Sequence, residues 1–172
     1  MAGAVHLTKR FFGSLLPLDA PRRDLEWIGE QLIDAEIDIW RSMSRVDRRH
    51  AAGVARRVER AMGHEATRPV LAAALLHDCG KTVSGLGTYG RVIATLSVKA
   101  AGHEHAVAWR ETSGFTRRVG LYVLHPELGA DLLGMAGSAP LTVAWAREHH
   151  LPPEQWTVPL EVGQVLKEAD DD

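Results

Sequence analysis

Sulfur is nearly absent from the sequence as a crosslinking element. A single cysteine, Cys79, cannot close an intramolecular disulfide, so nothing points to an oxidising compartment. Neither sign of charge dominates. Twenty basic against twenty-two acidic residues leave a formal charge of −2. That excludes a strongly basic nucleic-acid binder, so no duplex nucleic acid is expected as a partner, although a local basic patch stays open. No run approaches the roughly 18 apolar residues of a membrane span. The stretch Phe11-Phe12-Gly13-Ser14-Leu15-Leu16 follows Lys9-Arg10 but meets Pro17 at once, too short for a signal peptide. Strand-like alternation and internal repeats are missing as well. The expectation is a cytoplasmic all-α protein. Its 172 residues, 45% of them apolar, suffice for one buried core.

Residues 1–22 read as an arm without period, punctuated by Pro17 and Pro21, and residues 23–172 as a helical domain of about seven or eight helices. Leu25, Ile28, Leu32, Ala35 and Ile39 form one stripe, which predicts a single amphipathic helix from Asp24 to near Trp40. A second helix should run from Val46 to Met62 with Gly63 as its stop. After Pro69, the segment Val70 to Leu76 is apolar on all sides and predicts a buried helix, with Gly80 ending it and a glycine-rich loop from Ser84 to Gly90. Further helices are expected from Arg91 to Arg110 with an interruption near Gly102, from Ser113 to Leu124, from Pro126 to Gly134, from Leu141 to His150, and from Pro159 onward.

Some spacings imitate known sites without their context. Gly85, Gly87 and Gly90 match a dinucleotide fingerprint, but a helix rather than a strand precedes them. Gly80-Lys81-Thr82 resembles the end of a P-loop, yet Leu75 stands where its first glycine belongs. His103 and His105 lie two apart, on diverging faces of a helix, and read as solvated. Cys79 reads as a small buried residue.

The remaining histidines are harder to dismiss. His77-Asp78 ends the buried helix, where a charged carboxylate is costly unless something pairs with it. A divalent cation takes an imidazole and a carboxylate together. His50 precedes Val54 by four residues and Val58 by eight, so it lies on the inward stripe of its helix. His125 stands before Pro126 at a helix mouth, and His149-His150 end a helix before Pro152-Pro153. Asp170 follows Leu166 by four residues, inward on the last helix, where an acid near a C-terminus opposes the macrodipole and a cation would offset the cost.

In this order the residues resemble the H…HD…D signature of the HD-domain metal-dependent phosphohydrolases, over roughly residues 44–172. His77-Asp78-Cys79-Gly80-Lys81 reads as HDxGK and His125-Pro126-Glu127-Leu128-Gly129 as HPxxG, both similar to the HD-GYP branch, which also carries a histidine pair where His149-His150 stand. That branch continues into a DGxGYP loop, whereas this chain reads Leu151-Pro152-Pro153-Glu154-Gln155-Trp156-Thr157, which removes the ground for a cyclic dinucleotide substrate. Where members with three metals carry a glutamate, this chain has Val46. The resemblance implies hydrolysis of a nucleotide or related phosphoester, with one or two divalent transition metals (Fe, Mn, Co, Ni or Zn). His50, His77, Asp78 and Asp170 would hold the first ion, and His125 with His149 or His150 the second. Asp78 would bridge the two, and Lys81 would meet a phosphate oxygen. The alternative is a catalytically silent module of the same fold that binds a nucleotide or a protein.

Overall fold

The computed structural model describes residues 19–20 and 22–172. The arm expected over residues 1–22, with its signal-peptide question, therefore lies almost wholly outside the described residues. Among these, every regular element is helical and no strand occurs. The longer helices are α1 (Arg22–Gln31), α2 (Asp34–Ser42), α3 (Arg45–Met62), α4 (Arg68–Leu76), α6 (Thr88–Ala101), α8 (Gly114–Val123), α9 (His125–Met135), α10 (Pro140–Glu148) and α11 (Leu160–Asp171). Two shorter ones are α5 (Lys81–Ser84) and α7 (His103–Ala108). No helix among the described residues is long and apolar enough to cross a membrane.

α4 is the axis of the fold. Val70 to Leu76 are all buried, and α1, α2, α3, α10 and α11 pack around them. Such a helix can exist only inside, because no face of it is polar enough for water. Its C-terminus delivers His77 and Asp78 to the middle of the molecule. A smaller cluster, Leu86, Ala94 and Val119 with Val98, Trp109 and Tyr122, holds α6 and α8 together beside the main body.

Three expectations are corrected here. The helix read as continuous from Asp24 to Trp40 is two helices, broken at Leu32–Ile33. The Glu36 carboxylate turns back to accept from the Ile33 backbone N–H at 3.0 Å and so caps a new helix start. The break shifts the helical phase: Ala35 is exposed, while Glu36 and Trp40 are buried. The expected loop from Ser84 to Gly90 is shorter, residues 85–87, since α5 closes at Ser84 and α6 opens at Thr88. Only Gly85, at φ 60°, needs glycine's left-handed freedom there.

The helix after Pro69 ends at Leu76, four residues before the expected stop at Gly80, which instead precedes α5. Other boundaries lie within three residues of the reading. α3 starts at Ser44, whose hydroxyl accepts from the Asp47 N–H, and ends at Gly63 with φ 56°. Gly102 separates α6 from α7. His105 is exposed and the His103 side chain lies outside the description; Cys79 is buried with its thiol pushed up to about 12 by burial.

Candidate metal centre

Three helix C-termini meet at one point. His77 follows α4, His149 follows α10, and His125 stands two residues beyond the end of α8. The last carbonyls of a helix lack intrahelical partners, and each histidine meets one of them. Nδ1 of His77 lies 3.0 Å from Ala74 O, that of His125 2.7 Å from Tyr122 O, and that of His149 2.9 Å from Ala146 O. A carbonyl oxygen only accepts, so each Nδ1 must carry the proton. A ring in its neutral form then has its lone pair on Nε2. At His77 burial opposes the charge, but the Asp78 and Asp170 carboxylates outweigh it and raise the pKa, so an ion bound there would displace a proton.

Those three Nε2 atoms are buried and without a hydrogen-bond partner. All face Asp78. Its Oδ1 is 3.5 Å from His125 Nε2 and 3.6 Å from His149 Nε2, and its Oδ2 is 3.5 Å from His77 Nε2. These separations are too long for good hydrogen bonds. They are close to the spacing of two ligands on one cation, since donors about 2.1 Å from an ion at tetrahedral or octahedral angles stand about 3.0–3.4 Å apart. An orphaned buried polar atom costs about 1–3 kcal/mol, so three in one place are a poor structural solution without a guest.

Asp170, on the last turn of α11, is buried. Its Oδ1 lies 2.8 Å from His50 Nε2 and 3.5 Å from His77 Nε2. Burial pushes the Asp170 carboxyl up, but His50 and His77 together more than reverse this and hold it far below the usual carboxylate range. For Asp78 burial likewise opposes the charge, and the Lys81 ammonium and His77 outweigh it. The Lys81 Nζ sits directly on Asp78 Oδ2, one turn away on α5. His125 is held below its ordinary value chiefly by burial, which favours the neutral imidazole a metal requires.

All the residues expected to bind metal are thus brought together. The buried His/Asp clusters could hold a metal ion: His50, His77 and Asp78 form one group with ligand atoms within 4.8 Å of one another, and His125, His149 and His150 form another. Asp78 lies between them. His149 and His150 belong to the same group but differ in position. His149 is buried and aimed at Asp78, whereas His150 lies at the exposed rim, its ring centroid 5.1 Å from that of His125 and 4.0 Å from that of His149.

Sequence reasoning missed the supports. Tyr122 stacks on His125 at 5.6 Å, and Arg57 Nε donates to Ala169 O at 2.8 Å, next to Asp170. The buried Glu148 carboxylate accepts from Thr157 N at 2.7 Å and Thr157 Oγ1 at 2.6 Å, while Trp156 Nε1 donates to Glu148 O at 3.1 Å. Together they close the turn that carries the histidine pair. The only available signal was the spacing of each histidine three residues after an ordinary carbonyl, which no residue type marks. Glu148→Ala is expected to lower stability by about 1–3 kcal/mol in urea unfolding, because the two hydrogen bonds that the exposed Thr157 makes to a buried carboxylate are lost.

Compared with family models, curated proteins and solved structures, the chain matches none.

Proposed function

We propose that the chain is a metal-dependent phosphohydrolase of the HD-domain type, acting on a nucleotide or related phosphoester. The observation that carries this reading is the set of three buried Nε2 lone pairs, fixed from behind by backbone carbonyls and turned toward one carboxylate. A mixed imidazole and carboxylate set of this kind suits Fe, Mn, Co, Ni or Zn. His50, His77, Asp78 and Asp170 would hold one ion; His125, His149 and His150 would hold a second, with Asp78 shared. When bound, the ions supply Lewis-acid charge that activates water and draws electron density from a phosphoryl oxygen.

The chain's own residues prepare the place for this chemistry. The Nδ1 contacts to Ala74, Tyr122 and Ala146 orient the rings before any ion arrives. Lys81 neutralises Asp78 and keeps its ammonium beside the cluster, where a phosphate oxygen can meet it. His150, at the rim, is the ligand most open to solvent.

Metal content per chain and turnover of bis(p-nitrophenyl) phosphate test the reading, using protein purified without chelator or affinity-column nickel. Between one and two transition metals per chain are expected, together with hydrolysis stimulated by Mn or Fe. Both should fall to background in His77→Ala/Asp78→Ala. Metal without turnover of any phosphoester would favour the silent binding module. No metal after reconstitution would end the enzyme reading.

A further inference from the structure

Outside the histidine cluster, a concentration of positive charge lies on α3. Arg49, Arg56, Arg57 and Arg60 line a groove of about 530 Å³ together with Gly53 and with Asp24 of α1. The acids beside it are already engaged. Arg56 stacks 3.6 Å over the Trp27 ring and bonds to Asp24 at 2.8 Å and to Glu59 at 2.8 Å. Arg57 is held in place by its bond to Ala169 O. Arg49 and Arg60 are exposed, and neither makes an ion pair among the described residues. Eleven residues apart on one helix, they stand about 16 Å from each other along its axis. Between them Gly53 leaves the helix backbone bare: a Cβ there would meet only Arg57 Nη1, at 3.4 Å.

Arginines of one sign gathered around a concavity repel one another in a chain whose net charge is slightly negative. A polyanion reverses that cost, and the guanidinium fork matches phosphate oxygens two at a time. The span is too long for a single phosphate. We propose that the α3 groove is a second binding site, for a chain of two or more phosphate groups, separate from the candidate metal centre and sharing no ligand residue with it.

The test is calorimetric titration of the metal-free full chain with inorganic tripolyphosphate and, in a parallel arm, with ATP. One saturable site is expected. Arg49→Ala/Arg60→Ala should weaken it about tenfold or more, the loss of two charge-assisted contacts. Gly53→Leu should weaken it comparably by filling the groove, while its melting temperature stays level or rises, because leucine is the better helix former. Asp78→Asn should bind unchanged. Equal affinity for the two probes would mean that the phosphates alone are read, and tighter ATP binding that the nucleoside adds contacts; either supports the site. Absence of binding, affinity unaltered by the groove variants, or loss of affinity in Asp78→Asn would overturn it. Since no metal is present, failure here leaves the phosphohydrolase reading untouched.

Discussion

Replacing Gly80 by alanine is expected to lower stability by about 3–5 kcal/mol and to abolish metal binding. A Cβ at Gly80 would lie 2.0 Å from His125 O and 2.6 Å from Gly129 N. Both are backbone atoms, so no side chain can rotate away, and the cost should exceed the roughly 1–3 kcal/mol of ordinary overpacking. Relief requires α9 to move off the turn after α4, and that movement carries His125 away from Asp78. Gly129 forms the other side of the contact: its own Cβ would stand 3.1 Å from Gly80 N. For a domain of this size the loss corresponds to about 6–20 °C in melting temperature. Gly134→Ala is the control. On the same α9, its Cβ meets nothing within 4 Å, and it should be neutral or stabilising by up to about 1 kcal/mol. Equal tolerance of both substitutions, by thermal melting and metal content, would show that the close approach is not required.

A chelator should destabilise the metal-loaded protein by several degrees. Occupancy at a free concentration about 100 times the dissociation constant contributes about 2.7 kcal/mol, which for a chain of this length is about 5–10 °C. The effect should be larger here than at a surface site, because removing the ion leaves the Nε2 atoms of His77, His125 and His149 buried without a partner. His77→Ala/Asp78→Ala should be insensitive to chelator. Identical melting of the wild-type chain with and without chelator, after loading with Mn or Fe, would mean that these nitrogens have some other accommodation.

Much of this arrangement is legible along the chain. The uninterrupted apolar run Val70 to Leu76 leaves α4 no option but the centre, and therefore places His77 and Asp78 inside. The positions of His50 and Asp170 on apolar stripes turn both inward. Ser44 and Gly63 mark the ends of α3 by cap chemistry local to those residues. Each is a property of neighbours within one or two turns, which is why the sequence carries it.

The corrections all fall where distant segments decide. Nothing near Glu36 says that it will cap Ile33 rather than face solvent, since either is locally acceptable and packing on α4 selects one. Gly80 reads as a helix stop, but its backbone is ordinary right-handed, and its lack of a side chain serves the approach of His125 and Gly129 of α9, distant in the sequence. Helix phase leaves His149 and His150 equivalent. Trp145, fully buried, and Trp156, packed against it at 5.4 Å, turn His149 to the inside. The sequence by itself determined the helical class, the central helix and the donor residues, because helix formation and burial follow from local pattern. Only the tertiary structure decided which donors meet, because His50 and Asp170, 120 positions apart, are joined by the packing of α11 on α3.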